Sequence, residues 1–288
     1  MLFVLISVIC SVTVSVIIKL ARRYSINVTQ MIAWNYPVAV LLNYLFFKPK
    51  IEIQAINNDN WKIYLFLGLL LPSIFLAIAA SIRYTGIVRT EIAQRISILI
   101  PLIAAFLIFH ENPTTQSIIG IAIGIVAVLC SFNWKGDNKK EAGYKYWLYP
   151  LIIFFGMGLI DVLFKQVAQL ETAYTTSIFF IFLIALSVSF LYIFGRVISK
   201  KERLSLGSAI WGISLGLFNF GNILFYMKAH KAIPDNPSVV FTAMNIGVIA
   251  LGALIGILIF REKLSKLNKI AILLAVLSIL IIAGNEFI

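Results

Sequence analysis

Glu91 and Arg95 are opposite in sign and four residues apart, with Gln94 beside them, just before an almost unbroken apolar run opens at Ile96. On a helix that spacing puts the pair on one face. The run continues to Phe109 and stops at His110-Glu111-Asn112-Pro113, so it is about long enough to cross a bilayer. Charge inside or at the rim of a membrane helix is costly and tends to mark solute or proton paths. The chemistry this set can do is therefore binding: it can hold a polar solute, or pass a proton, in a water-filled cavity. The plainer alternative is an interfacial ion pair that satisfies only itself.

Asp161 and Lys165 repeat the same spacing with the same pairing of signs. They read either as a gate or coupling pair or as an internal ion pair that lowers the cost of insertion. Asn35, Asn219, Asn222 and Asn245 also fall within apolar runs, where each amide can bind a solute or hydrogen-bond a neighbouring helix. Trp34 can stack on a solute or belong to an interfacial aromatic belt. Lys19, near the end of the first run, is expected to snorkel to the interface. Glu111 and Glu262 are expected to cap the start of the span that follows each of them, where a carboxylate meets the positive end of the helix dipole.

The elements that carry these residues are apolar. Of 288 residues 61% are hydrophobic and 12% charged, which excludes a soluble domain of this size. The formal charge of +12 would suggest nucleic acid in a soluble protein. Here the basic residues occupy short loops between apolar runs, so nucleic acid is excluded as a partner. Cys10 and Cys130 lie in apolar runs as small hydrophobes, and His110 and His230 are the only histidines. No Cys/His cluster has metal spacing and no Gly-rich nucleotide loop is present, so neither metal nor cofactor is expected. The first run lacks a basic leader and a small-residue cleavage site, and is read as a retained span.

Ten apolar segments follow one another, roughly 2–20, 31–47, 63–82, 92–109, 117–132, 147–167, 176–198, 209–227, 238–260 and 270–283. Each must satisfy its own backbone in lipid, which makes helices of them, and the short connections make neighbours antiparallel. The polar stretch 135–145 leaves five segments on each side. At an offset of 151, Gln94 falls on Asn245, Pro101 on Gly252 and Glu111 on Glu262; at an offset of 146, Lys19 falls on Lys165. An odd-numbered unit duplicated in one chain enters the membrane from opposite sides. The expected fold is an all-α integral membrane protein of ten transmembrane helices in two inverted five-helix repeats, residues 1–134 and 146–288, joined by the linker 135–145. Gly120/Gly124, Gly212/Gly216 and Gly252/Gly256 are small-residue pairs suited to close helix contacts.

Sorted by segment ends, 18 basic residues fall on one side and 6 on the other. The larger set belongs in the cytoplasm, which puts both termini outside.

The acidic corners His110-Glu111-Asn112-Pro113-Thr114 and Arg261-Glu262-Lys263-Leu264-Ser265, one per half, resemble the EamA-type branch of the drug/metabolite transporter superfamily. That family has a Gly-Glu-Arg-Leu-like corner after the fourth span of each repeat. Here the glutamates stand at 111 and 262, the leucine only at 264, and His110 and Arg261 replace the glycine. Arg83-Tyr84-Thr85 is similar to the family's Lys-Tyr element between spans three and four. The resemblance covers nearly the whole chain. It implies a secondary transporter of the cell (inner) membrane, crossing it many times and moving a small metabolite, such as an amino acid or related polar or amphipathic solute, by alternating access. Its partners would be the solute, the lipid bilayer and protons, and the protein would be a monomer or homodimer. From the residues themselves, Glu91 or Asp161 can carry the proton if buried, because desolvation raises a carboxylate's pKa. The resemblance also implies cytoplasmic termini, opposite to the charge count. Two alternatives stand beside it: a lipid-carrier flippase of the same fold, and a membrane-embedded enzyme, which the scattered carboxylates disfavour.

Overall fold

The computed structural model describes residues 2–49, 60–97, 99–107, 115–131, 144–168, 170, 173–232, 237–262 and 264–284. Among these residues the regular structure is helical throughout. The elements are α1 (Leu2–Arg23), α2 (Val28–Phe47), α3 (Asn60–Thr85), α4 (Ile87–Ile96), α5 (Leu99–Leu107), α6 (Thr115–Ser131), α7 (Lys145–Ala168), α8 (Tyr174–Ile198), α9 (Leu206–Ala232), α10 (Pro237–Leu258) and α11 (Lys266–Gly284). Each apolar segment of the sequence lies on one of these helices, the fourth on both α4 and α5. Most helices run a few residues past the apolar run. Apolarity marks the part suited to lipid, whereas the helix ends where capping and turn residues end it. Asn27 is such a residue: its side chain accepts the Gln30 N–H at 3.2 Å and starts α2 at Val28.

Among the described residues five helices are long and apolar enough to cross a membrane by length and composition: Leu2–Arg23, Asn60–Thr85, Lys145–Phe164, Tyr174–Ile198 and Leu206–Ala229. The outer surface is correspondingly rich in large apolar side chains. Leu191 is 71% exposed and Leu273 66%, which lipid rather than water accommodates.

The fourth segment departs from expectation. Its helix begins at Ile87, not Ile92, so the charged cluster lies inside the bundle instead of at a rim. It then breaks between Ile96 and Leu99. Pro101 explains the break, because its ring crowds the carbonyl of Ser97 four residues earlier and it has no N–H for that carbonyl. The Ser97 carbonyl accepts instead from the Ile100 N–H at 2.9 Å, and the Ser97 hydroxyl donates to the Gln94 carbonyl at 2.6 Å.

The closest helix pairs are α6 with α11, α2 with α9, α1 with α9 and α3 with α7; α8 packs on α2 and α3, and α10 on α1 and α4. Lipid supplies no hydrophobic force between helices, so close backbone approach and hydrogen bonds have to hold them. The glycine pairs do the first. A Cβ on Gly212 would lie 2.5 Å from the Met31 carbonyl oxygen, and one on Gly216 would lie 2.9 Å from that of Asn35. On α6 a Cβ at Gly124 would meet Leu99 and Ser278 at 2.8 Å, while Ser278 Oγ donates to the Gly120 carbonyl at 2.7 Å. Tyr64 and Ser177 join α3 to α8 through their hydroxyls at 2.7 Å.

Candidate functional site

Four polar residues spaced by four along α1 form a stripe: Ser7, Ser11, Ser15 and Lys19. Twelve residues of helix carry it about 18 Å along the bundle. Every member has a partner on another element. Ser7 Oγ donates to the Asn222 carbonyl at 2.9 Å and to its Oδ1 at 2.8 Å. Ser11 Oγ accepts from Arg95 Nη2 at 2.9 Å. Ser15 Oγ donates to Glu91 Oε1, and Lys19 Nζ ion-pairs with Glu262. α1 is thereby tied at its first rung to α9, at the middle two to α4, and at the last to the corner after α10.

Glu91 is the most enclosed charge in this set, at 2% exposure. Its Oε1 is held by Ser15, while Oε2 has no hydrogen-bond partner among the described residues and stands 3.9 Å from Arg95 Nη2. Gly252 of α10 backs the carboxylate, and a Cβ there would meet Glu91 Cγ at 3.1 Å. The spacing argument for Glu91 and Arg95 is therefore met, but Glu91 is buried, Arg95 half-buried, and both are cross-linked to α1.

Asp161 lies in the last third of α7 and is exposed. It interacts electrostatically with Arg95 of α4 and with Tyr174 and Tyr226 of α8 and α9. Groups from three other helices thus share its field. Lys165 is on the same helix, but its side chain lies outside the described residues. Gln94 is half-buried beside the pair, and Asn245 is buried on α10.

The remaining candidates gather elsewhere. Asn35 is fully buried and its Oδ1 accepts from Asn219 Nδ2 at 3.2 Å, an α2–α9 contact. Trp34 packs edge-on against Phe190 of α8, centroids 5.2 Å apart, with its Cβ against Gly212. The structure brings together Glu91, Gln94, Arg95 and Asp161, ties Asn222 to the same stripe, and places Trp34, Asn35 and Asn219 in a separate seam.

Two expectations need correction. Glu262 does not cap the span after it. It crosses to α4, where Oε1 accepts the Ile87 N–H at 2.7 Å and Oε2 the Val88 N–H at 3.2 Å. Gly86 makes room for it: its φ is +89°, and a Cβ there would lie 2.6 Å from Glu262 Oε2. Lys19 does not snorkel; besides Glu262 it meets the Phe260 ring, 4.4 Å from the centroid. Glu111 lies outside the described residues. The serines were missed because each alone is a neutral small residue in an apolar helix. Their spacing in line with Lys19 was the available signal.

Below this clasp, between the adjoining ends of α1, α3 and α7 and the corner after α10, is a cavity of about 1400 Å³. Arg89 lines it, lying over the Tyr146 ring at 4.3 Å and donating to the Asn268 side-chain oxygen at 2.9 and 3.0 Å with that amide turned oxygen-first. At the same end Glu202, after α8, ion-pairs with Arg196 and accepts from Asn27 Nδ2 at 3.0 Å. Helix ends that the charge count assigned to one side thus do lie together.

Helical among its described residues, apolar outside and seamed inside by charge, the chain is a multi-pass membrane protein. It belongs to the EamA-like transporter family of the drug/metabolite transporter superfamily, whose description matches residues 1–133. A relative from Haemophilus influenzae (strain Rd), named only "Uncharacterized protein", is 40% identical over 278 residues, 95% of this chain and 94% of its own. A solved crystal structure, described only as that of a protein, is 12% identical; the match covers 98% of this chain and 99% of the other, with a TM-score of 0.55, a likeness of fold alone.

Proposed function

We propose that this protein is a secondary transporter of the inner membrane that moves a small polar metabolite by alternating access, its two five-helix halves being inverted repeats of each other. The family is one of transporters. The packing supports the repeat: exchanging the first five segments with the second five turns the α2–α9 contact into α8–α3, α1–α9 into α7–α3 and α1–α10 into α7–α4, and all of these occur. Such a relation lets one half rock on the other around a central site.

The observation that carries the reading is the carboxylate of Glu91, buried with one oxygen that has no hydrogen bond among the described residues and only a 3.9 Å approach from Arg95, within the field that Arg95 shares with Asp161. Scaffold helices have no need of this arrangement, whereas a solute amine or a proton would complete it. Glu91 is the coupling group in this reading, Arg95 and Asp161 bind the solute, and the α1 stripe is the rail along which α1 and α4 change register. The basic ends face the cytoplasm by the positive-inside rule.

The test is counterflow in liposomes holding the purified protein, against a panel of labelled amino acids and other small metabolites. Uptake of at least one solute above protein-free liposomes, lost in Glu91→Gln with unchanged folding, is expected. Uptake of none, or equal uptake by the variant, overturns the reading.

A further inference from the structure

We propose that the cavity at the basic end is a binding site for a soluble organic anion, one that joins a phosphate or carboxylate to a flat apolar body. That this anion is the transported solute rests on the reading above; that it binds does not.

Six cations line the cavity: Lys19, Arg22, Arg23, Arg83, Arg89 and Arg261. Among its lining residues the only carboxylate is Glu262, and that group is already engaged by Lys19 and the two amides of α4. A belt of basic residues that serves only orientation faces headgroups and water, and nothing requires it to converge on one cavity. Arg89 is the sharper case. It is 9% exposed, and the two side chains in contact with it, Asn268 and Tyr146, are neutral; Glu262 also acts on it electrostatically, but that carboxylate is already shared with Lys19 and the two amides of α4. A planar guanidinium held in this way suits a phosphate or carboxylate, which it meets with two parallel hydrogen bonds.

The cavity also offers a place for an apolar body. The Tyr84 and Tyr149 rings on its wall are stacked 5.5 Å apart and 3° from parallel, with Leu76, Ile82 and Phe260 around the same space. Arg83 and Lys145 lie over the Tyr84 ring, 5.1 and 5.5 Å from its centroid, so cations are held at this aromatic wall. The walls come from α1, α3 and the start of α4 on one side and from α7 and the corner after α10 on the other. An occupant would therefore touch both halves of the chain beside the Lys19–Glu262 clasp.

The experiment is calorimetric titration of the full-length protein in nanodiscs of phosphatidylcholine, with phenyl phosphate as probe. Binding is expected for phenyl phosphate, weaker binding for inorganic phosphate, and none for benzyltrimethylammonium. Arg22→Gln and Arg83→Gln, both at exposed positions where folding is safe, should each weaken phenyl phosphate about fivefold, and Arg89→Gln more than about tenfold. Lys200→Gln and Lys201→Gln, on the same end but outside the cavity, should change nothing. Equal binding of the cation, or equal weakening by the Lys200 and Lys201 variants, overturns the site. Anionic lipid carries the same phosphate chemistry, so the titration is repeated with phosphatidylglycerol in the disc; loss of the probe there assigns the site to a headgroup and overturns the soluble anion. If anion binding fails while some neutral or cationic solute is still taken up by liposomes, only the anion falls. If anion binding holds and no solute is taken up, transport falls and the site remains.

Discussion

Glu262, in the corner after α10, accepts the backbone N–H of Ile87 at the first turn of α4, 175 residues away in sequence, at 2.7 Å. The bond places a carboxylate at the positive end of a helix in the other half of the chain and pairs it with Lys19 of α1. Three segments distant in sequence thus meet at one side chain.

Removing that side chain tests the clasp directly. Glu262→Ala leaves two amides and an ammonium unpartnered, and should lower stability by about 2–4 kcal/mol. Glu262→Gln keeps an acceptor for the amides and should lose about half as much. Thermal unfolding in detergent reads both, and a double-mutant cycle with Lys19→Met isolates the ion pair.

Gly86→Ala should be as damaging as losing the carboxylate it admits. The position has φ of +89° and a Cβ there would lie within 2.8 Å of three carboxyl atoms. Strain and displacement together are expected to cost about 2–3 kcal/mol. A melting temperature equal to wild type would mean that Glu262 is not seated there.

Gly212 and Gly195 make a matched pair. Gly212→Ala drives a methyl against the Met31 carbonyl oxygen of α2, whereas nothing lies within 4 Å of a Cβ at Gly195. The first should part α2 from α9 and reduce the yield of folded protein; the second should be neutral or gain a few tenths of a kcal/mol, because alanine favours helix over glycine. Size-exclusion profiles of the two variants check this.

Ser15→Ala removes the hydrogen bond that Glu91 Oε1 accepts. An interhelical bond of this kind in a membrane is worth about 1 kcal/mol, so the protein should remain folded. Solute uptake and its dependence on external pH should nevertheless change, because the orientation of the carboxylate is lost. Glu91→Gln together with Asp161→Asn should abolish the pH dependence, and uptake that still varies with pH as in wild type would rule out both carboxylates as proton carriers.

Sidedness can be read with a thiol reagent that does not cross membranes. With Cys10 and Cys130 replaced by alanine, single cysteines at Arg22, Arg83 and Lys200 should label only when the cytoplasmic face is open. Labelling of all three from outside would invert the orientation and support cytoplasmic termini.

The sequence alone determined the apolar helical segments, the crowding of basic residues at one set of ends, the glycine seams and the shared face of Glu91 and Arg95. These are local properties. Lipid obliges each span to close its own hydrogen bonds, so ten apolar runs declare ten helical segments whatever their neighbours are. Tertiary structure decided which faces meet. Ser7, Ser11 and Ser15 are unremarkable until α1 lies against α4 and α9, and nothing near Glu262 in sequence points to Ile87. The burial of Glu91, the break at Ser97 inside the bundle and the convergence of six cations on one cavity depend on the same non-local packing, which small residues and a few buried polar bonds specify because apolar contact with lipid cannot.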